Sequence, residues 1–314
     1  MKIVFMGTPD FSLECLSALV GGGCEVAAVV TQPDRPKGRG GELQAPPVKL
    51  LAIEKSIPVM QPEDVNREAG AIAGLAPDCI VTVAYGQLLS KEILEIPSLG
   101  CVNVHASLLP ALRGASPIQW AIINGDDVTG ITTIMMDAGM DSGDILLQRE
   151  VPIGPEDDAG ALSGTLARVG AEVLMETLRG LEEGSIIPRP QDHSRATFAP
   201  AISKDRGRID WNSPARSIVN LVRGCAPWPT AYTFHKKKTI KLWKARVVDE
   251  KQPPEASPGT IVAAGDDGVV VAAGEGAIRV MELQREGKKR MGAGAFLRGY
   301  PLESGDKFAG GPEG

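Results

Sequence analysis

The chain has 314 residues, of which 43% are hydrophobic and 23% are charged. A length of this order favours two domains, and a composition near the globular average excludes a fibrous or a disordered protein. The formal net charge of −6 is unevenly divided, because residues 1–199 hold 14 Lys and Arg against 26 Asp and Glu, whereas residues 200–314 hold 19 against 13. The basic second part therefore suggests an anionic partner, although small basic domains are also common.

The sequence shows no pattern typical of export, of a membrane span or of a metal site. The longest apolar runs, such as residues 79–84, are far shorter than the roughly 18 to 20 residues of a membrane span, and the apolar run that opens the chain ends at Gly7. The five cysteines are odd in number and lack C-x-x-C spacing, and the three histidines lie far apart. We therefore expect a cytoplasmic protein with buried free thiols and without a metal.

The first part of the chain alternates short apolar runs with amphipathic segments. Strands are predicted at residues 2–6, 25–30, 58–60, 79–84, 101–105, 130–136 and 144–150. Helices are predicted at residues 11–20, 48–54, 117–123 and 160–181. This alternation is typical of an α/β fold with a doubly wound, mostly parallel, Rossmann-like sheet.

The second part has a different pattern. Pro, Arg, Ser and Gln become frequent after Gly184, which is typical of an extended linker, and we place that linker at residues 190–205. After one more helix, short strands are predicted at residues 231–235, 239–248, 259–264, 268–273 and 277–283. These strands fit a small OB-like β-barrel, with a sandwich fragment as the alternative. We therefore expect one domain at residues 1–189 and a second at residues 206–314.

The turn after the first predicted strand bears on nucleotide cofactors. Gly7-Thr-Pro-Asp-Phe lacks the second and third glycines of the G-x-G-x-x-G pattern, and a proline stands where the backbone would approach a pyrophosphate. Dinucleotide binding is therefore disfavoured, and with it a nicotinamide-dependent oxidoreductase.

Two polar side chains interrupt the apolar strand predicted at residues 101–105. Because side chains alternate along a strand, Asn103 and His105 project from one face, near the carboxyl end where open α/β sheets bind ligands. An amide N–H group and an imidazole could stabilise an oxyanion there. On this pattern alone, a histidine bonded to backbone at a strand end is the favoured alternative. Asp141, in a glycine-rich stretch, adds a carboxylate that could orient the imidazole.

Several longer blocks of sequence resemble one known family. They are FMGTPDFS near the start, TQPDRPKGRG at residues 31–40, VAYGQLL at 83–89, NVHASLLPALRGASPIQWAI at 103–122 and MDAGMDSGDIL at 136–146, followed by RIDWNSPA, PWPTAY and LQREGKKRM. In this order the blocks resemble those of the tetrahydrofolate-dependent formyltransferases. The resemblance covers nearly the whole chain.

The resemblance implies that Asn103, His105 and Asp141 are catalytic, and it makes Asp144 the less favoured carboxylate. It implies 10-formyltetrahydrofolate as the formyl donor, no metal, and the α-amino group of methionine on initiator tRNA as the acceptor, with the product used in translation initiation. Asn103 and a cationic His105 would hold an oxyanion, and Asp141 would relay the proton of the amine. The implied folate-binding residues are Ser107, Leu108, Leu109, Pro110, Tyr85, Gly86 and Gln87.

The same resemblance implies residues that bind tRNA. A flexible basic loop after the second strand would enter the acceptor end of the tRNA, and basic residues of the second part would contact phosphates without reading sequence. The implied residues are Arg35, Lys37, Arg39, Lys236, Lys237, Lys238, Lys289 and Arg290. A monomer is expected, although the sequence does not determine the oligomeric state and gives no role to His193 or His235.

Two other functions remain open at this point. A formyltransferase that acts on a nucleotide-linked amino sugar or on a glycinamide ribonucleotide would share the three catalytic residues and the Ser-Leu-Leu-Pro loop. The basic insertion and the basic second part favour tRNA over those acceptors. A non-enzymatic RNA-binding protein would use the barrel alone, and the intact set of three catalytic residues disfavours it.

Overall fold

A computed structural model describes residues 1–37, 42–248 and 256–311. The chain forms two compact units, of which the first consists of Met1–Pro117, Val128–Pro152 and Ser163–Pro200 and the second of Ile118–Asp127, Ile153–Leu162 and Ala201–Gly314. The interval predicted as a linker, residues 190–205, belongs to the first unit as far as Pro200. The boundaries of the functional domains stay a prediction.

The secondary structure before residue 200 follows the predicted alternation closely. Its strands are β1 Lys2–Gly7, β2 Glu25–Val30, β3 Arg35–Lys37, β4 Glu42–Gln44, β5 Val59–Met60, β6 Cys79–Val83, β7 Cys101–His105, β8 Val128–Met135 and β9 Ile145–Pro152. Its helices are α1 Leu13–Gly21, α2 Pro47–Glu54, α3 Ala69–Gly74, α4 Lys91–Leu94, α5 Pro117–Asn124 and α6 Ala159–Glu182. Throughout the described parts of the chain, no helix is both long enough and apolar enough to cross a membrane.

Seven of these strands form one sheet in the order β5-β2-β1-β6-β7-β8-β9. The pairs from β5 to β7 are parallel, whereas β8 runs antiparallel to both of its neighbours. β6 is buried along its whole length, which explains why all of its residues except Thr82 are apolar. After β1 the chain continues to β2 on one side and later to β6 on the other, so the sheet has a switch point at the carboxyl ends of β1 and β6.

A second, antiparallel sheet lies in the second unit. Its strands are β10 Ala231–His235, β11 Lys238–Val247, β12 Ile261–Gly265, β13 Gly268–Ala272, β14 Ala277–Arg285 and β15 Met291–Gly292. They pair in the order β10-β11-β14-β13-β12, with β15 beside β14. The helices α7 Ala215–Gly224 and α8 Ala293–Gly299 contribute apolar side chains to the same core. The predicted fold class, a mostly parallel Rossmann-like sheet followed by a small β domain, is confirmed.

Some local elements differ from the prediction. β3 and β4 form a short antiparallel ribbon where an irregular basic loop is predicted. Its residues include Pro36 and several charged side chains, so the alternation of apolar residues that indicates a strand is missing. The short helices α3 and α4 were also not predicted. In α3, Ile72 is the largest apolar side chain, and α4 is a single turn, so both give weak periodic signals.

The cysteines agree with the expectation of free thiols. All five are unpaired, and four of them are buried. Burial raises the pKa of the Cys15 thiol to about 12 and that of Cys225 to about 11. Because the thiolate is the reactive form, these thiols are chemically inert in the folded protein.

Replacing Ile218 by alanine tests the core of the second unit. Ile218 lies on α7 and is only 2% exposed, so its removal leaves a cavity in the packed cluster. We expect the free energy of unfolding to fall by about 2 to 5 kcal/mol. Arg216→Ala, at an exposed position of the same helix, is the control and should change it by no more than about 0.5 kcal/mol. Urea unfolding followed by circular dichroism measures both, and equal effects would contradict the assigned packing.

Candidate active site

β7 carries Asn103 and His105 on one face, as the alternation along the strand predicts. Its parallel neighbour β6 places Thr82 beside Asn103 in the register of the sheet. The Thr82 hydroxyl donates a hydrogen bond to Asn103 Oδ1 at 2.9 Å. Because this oxygen is occupied, the amide nitrogen of Asn103 faces the opposite way, where Nδ2 lies 3.4 Å from Asp141 Oδ1. The orientation of Asn103 is therefore determined by the strand next to it.

The Asp141 carboxylate lies in the loop between β8 and β9 and is 16% exposed. Its Oδ2 accepts a hydrogen bond from the backbone N–H of Gly114 at 2.8 Å. Its Oδ1 is 3.4 Å from Asn103 Nδ2 and 3.6 Å from His105 Nδ1. The structure thus brings the amide, the imidazole and the carboxylate together at the end of β7.

The two ring nitrogens of His105 have different partners. The ring is only 6% exposed, and Nε2 lies 2.9 Å from the carbonyl oxygen of Leu112. A carbonyl oxygen only accepts, so Nε2 carries a proton and donates it to this bond. Nδ1 is left facing the Asp141 carboxylate. The histidine is therefore bonded to backbone at one nitrogen, as the alternative from the sequence proposes, and faces the other candidate residues with its second nitrogen.

The backbone of the loop fixes which carboxylate reaches the site. Asp141 adopts a φ of +50°, which is uncommon for a residue with a side chain. Gly143 approaches β8 so closely that a Cβ atom there would lie 1.8 Å from the carbonyl oxygen of Met135. Asp144 follows directly, and its carbonyl oxygen accepts a hydrogen bond from the N–H of Met135 at 2.8 Å. Asp141 is the carboxylate beside Asn103 and His105.

The loop after β7 lines a cavity of about 380 Å³. One wall is formed by residues 108–111, and Gln148, Glu150 and Arg195 supply polar and charged groups. Ser107 does not line the cavity but donates from Oγ to the carbonyl oxygen of Ala111 at 2.6 Å, which closes the loop on itself. Gln148 Nε2 donates to the carbonyl oxygen of Leu109 at 2.8 Å. Of the predicted folate residues, Leu108, Leu109 and Pro110 are thus brought together.

The other predicted folate residues lie at the switch point of the sheet. The carbonyl oxygen of Tyr85 accepts a hydrogen bond from the Thr8 hydroxyl at 3.1 Å, and Gly86 adopts a φ of +90°. The side-chain oxygen of Gln87 accepts from the N–H of Val65 at 2.9 Å. Burial raises the pKa of Tyr85 to about 12, and its hydroxyl has no hydrogen-bond partner among the described residues. These contacts tie Tyr85 to the end of β1 and Gln87 to the segment before α3, and none of the three residues lines the cavity.

Two of the three basic residues predicted in the first part lie in β3. Arg35 is exposed in β3, and its Nη2 lies 3.5 Å from the side-chain oxygen of Gln32. Lys37 ends β3. Arg39 lies outside the described residues.

The basic residues predicted in the second part are exposed at two places. Lys236 and Lys237 form the turn between β10 and β11 with φ values of +47° and +63°, and Lys238 begins β11. Lys289 and Arg290 lie before β15. The guanidinium of Arg290 stacks over the Trp243 ring at 4.8 Å from its centre and pairs with a nearby glutamate. Arg290 is thus partly engaged within the protein, as is Lys236, whose Nζ lies 3.5 Å from Asp306 Oδ1, whereas Lys237 is exposed at the tip of the turn.

Sequence reasoning missed several residues that hold the site together. Thr82, the backbone of Gly114 and the side chain of Gln191 all contact the candidate catalytic residues. Thr82 could have been found by aligning the predicted parallel strands, because it lies opposite Asn103. Gln191 has no such local signal, since it follows β9 by some 40 positions in a stretch predicted as a linker.

Comparisons with known proteins assign the chain to a family. A family model described as formyl transferase matches residues 1–178, and one described as formyl transferase C-terminal domain matches residues 201–301. The chain is 48% identical to a methionyl-tRNA formyltransferase from Citrifermentans bemidjiense, over 97% of this chain and 95% of that one. It is 50% identical to a protein of the same name from Geobacter metallireducens, over 97% of each chain.

Solved structures of more distant proteins share the fold. HypX from Aquifex aeolicus in complex with tetrahydrofolic acid has a TM-score of 0.66 at 19% identity, covering 98% of this chain and 50% of that one. An N-formyltransferase from Helicobacter canadensis in complex with folinic acid and dTDP-3-aminofucose has a TM-score of 0.66 at 16% identity, covering 89% and 98%. Identities this low show a common fold alone. Together with the family models, the full-length relatives show that the chain belongs to the formyl transferase family.

Proposed function

We propose that this protein transfers the formyl group of 10-formyltetrahydrofolate to the α-amino group of methionine on initiator tRNA, which gives N-formylmethionyl-tRNA for translation initiation. Full-length relatives that are named methionyl-tRNA formyltransferases, at 48% and 50% identity, support this assignment. The five free thiols and the tRNA acceptor support the cytoplasm as the compartment. We also expect a monomer, which sedimentation at the mass of one chain would test.

The convergence of Asn103, His105 and Asp141 carries the proposal. At the carboxyl end of β7, the Asp141 carboxylate lies 3.4 Å from the amide nitrogen of Asn103 and 3.6 Å from the imidazole of His105. When bound, 10-formyltetrahydrofolate supplies the formyl group, which leaves its N10 nitrogen for the methionyl amine as one proton passes from the amine to N10. The residues of this chain therefore have to stabilise negative charge on an oxygen and move one proton.

Asn103 is the donor for the oxygen on which negative charge develops. Thr82 occupies its side-chain oxygen, so its N–H groups are the part that faces the reacting atoms. A donor whose direction is set before the reaction stabilises developing charge without paying for reorganisation. The nearby imidazole of His105 adds to this electrostatic stabilisation as a cation, in which Nδ1, the nitrogen not bonded to Leu112, also carries a proton.

Asp141 accepts the proton that the amine loses. Its Oδ2 is held by the N–H of Gly114, which leaves Oδ1 between Asn103 and His105. From this position Oδ1 can take a proton directly or through water and share it with His105 Nδ1. General acid–base help of this kind contributes about 10²- to 10⁴-fold in rate.

The residues that would hold the folate have suitable chemistry. The cavity beside the loop after β7 combines an apolar wall at residues 108–110 with the polar groups of Gln148, Glu150 and Arg195, as a planar ring with polar edges requires. Tyr85 and Gly86 follow β6 at the switch point of the sheet, where open α/β sheets bind ligands. We propose Ser107, Leu108, Leu109, Pro110, Tyr85, Gly86 and Gln87 as the folate-binding residues.

The acceptor tRNA requires a different set of residues. We propose that Arg35, Lys37 and Arg39 contact its acceptor end and that Lys236, Lys237, Lys238, Lys289 and Arg290 contact phosphates. The turn between β10 and β11 supports this role, because it places three consecutive lysines at exposed positions. The positive φ angles of Lys236 and Lys237 are those that a two-residue hairpin turn requires.

Replacing His105 by Ala or Asp141 by Asn tests the catalytic assignment. Each change removes a group that acts on the reacting atoms, so we expect formylation to fall by at least about 10²-fold. The measurement is the mass of the amino acid released after incubation with 10-formyltetrahydrofolate and charged initiator tRNA. Asp144→Asn is the matched control and should retain its activity. Near-normal turnover of either variant, or formylation of an amino sugar nucleotide in place of the tRNA, would reject the proposal.

Replacing Thr82 by Val tests how Asn103 is oriented. The isosteric change leaves Asn103 Oδ1 without its donor, so the amide is free to turn its N–H groups away from the reacting oxygen. We expect kcat to fall by about 10-fold or more. Thr82→Ser keeps the hydroxyl and should stay within about twofold to threefold of the unchanged protein. Equal rates for the serine and valine variants would show that the hydroxyl does not orient Asn103.

The lysine turn predicts a salt-dependent affinity for tRNA. Contacts to phosphates release counterions, so the Michaelis constant for tRNA should rise steeply with salt concentration. Lys237→Gln should weaken binding and reduce the slope of log KM against log salt by about 1. Lys55→Gln, an exposed lysine of the first unit, is the control and should leave the slope unchanged. A slope that Lys237→Gln does not alter would remove the turn from the tRNA interface.

A further inference from the structure

Gln191 is a buried polar residue that contacts the loop of Asp141. Its side chain is only 5% exposed. Nε2 donates to the carbonyl oxygen of Asp141 at 2.8 Å and to that of Gly143 at 2.7 Å. Both hydrogens of the amide are therefore used to hold two carbonyl groups of one loop.

The oxygen of the same amide is held by Arg113. Gln191 Oε1 accepts hydrogen bonds from Arg113 Nε at 3.2 Å and from Nη2 at 2.6 Å. Arg113 is 6% exposed, and its Nη2 also lies 3.0 Å from His193 Nδ1, which must accept. Because a guanidinium only donates, it fixes which end of the Gln191 amide is the oxygen, and it thereby directs the NH₂ group to the loop.

Arg113 is itself anchored beside the second contact of Asp141. Its backbone N–H donates to the carbonyl oxygen of Thr197 at 2.9 Å, and its carbonyl oxygen accepts from the N–H of Ala199 at 2.7 Å. The next residue, Gly114, donates its N–H to Asp141 Oδ2. Arg113 and Gln191 thus link the two chain segments that hold Asp141, one through its carboxylate and one through its backbone.

We propose that Gln191 is a positioning residue for the formyl transfer, which sets the place of the Asp141 carboxylate through the backbone of its loop. Asp141 holds a φ of +50°, a conformation that persists only where the surroundings impose it. Gln191 supplies that constraint by satisfying the carbonyl groups at Asp141 and Gly143. The inference rests on the proposed function, since it assigns Gln191 a role in that reaction.

Gln191→Glu separates this role from simple stabilisation of the fold. The carboxylate keeps both acceptor contacts to Arg113 but loses the donors to the two carbonyl groups. We expect kcat to fall by about 10- to 100-fold, since misplacement of a catalytic group by about 1 Å costs this much. KM for both substrates should stay within about threefold, because the hydrogen bonds of Gln191 are to groups of this protein and not to a substrate.

The decisive measurement is a double-mutant cycle with Asp141→Asn. If Gln191 acts by placing the Asp141 carboxylate, Gln191→Glu should cost less than about threefold once that carboxylate is gone. If Gln191 only supports the fold, it should cost the same factor in both backgrounds, and this result would overturn the inference. Single-turnover assays of the four proteins supply the rates, and thermal unfolding of each reports its stability.

Further variants keep the test decisive. Ser142→Ala removes a hydrogen bond to Asp137 in the same loop without touching the Asp141 carbonyl, and it should retain the activity of the unchanged protein. If Gln191→Glu does not fold, Arg113→Lys replaces it. Lysine cannot make the two hydrogen bonds that Arg113 donates to Gln191 Oε1, so kcat should fall, and this loss should again vanish in the Asp141→Asn background. An equal loss in both backgrounds overturns the inference alone, whereas an inactive unchanged protein or a fully active Asp141→Asn variant overturns the proposed function as well.

Discussion

The site depends on holding one mostly buried carboxylate, that of Asp141, against an amide and an imidazole that a separate strand presents. Asn103 and His105 are fixed by β7, which sits inside the sheet between β6 and β8. Asp141 comes from a loop whose backbone departs from the usual conformation. β7 therefore places two of the groups, which Thr82 and the carbonyl oxygen of Leu112 then orient, and the rest of the site brings the third group to them.

Two side-chain amides hold the groups of the site in place, because the oxygen end of an amide only accepts hydrogen bonds and the nitrogen end only donates them. Asn103 receives the Thr82 hydroxyl at its oxygen and turns its nitrogen toward Asp141. Gln191 receives the Arg113 guanidinium at its oxygen and turns its nitrogen toward the loop carbonyls. In each case a donor bound to the amide oxygen determines that the NH₂ group faces the site. A buried polar network of this kind specifies one arrangement only when every member is satisfied.

The sequence predicts the elements whose side chains follow a simple period. β7 and β10 agree with their predicted ranges residue for residue, because apolar runs of that length are well defined by their flanks. The neighbourhood of Asn103, His105 and Asp141 was likewise anticipated from strand alternation and family resemblance. The sequence does not predict that Gln191 holds the loop of Asp141, because the two residues are 50 positions apart and their contact follows neither a strand nor a helix period. The sequence does not predict the ribbon of β3 and β4 either, because its two strands pair through their backbones and show no alternation of apolar residues.

The three candidate catalytic side chains and Gln191 all belong to the first compact unit, whereas the exposed lysine turn belongs to the second. In the proposed function, the bond-making groups therefore lie in the first unit, whereas affinity for a polyanion draws on both units, since Arg35 and Lys37 also belong to the first. A change confined to the lysine turn would then alter how tightly the recipient is held and leave in place the groups that transfer the one-carbon unit.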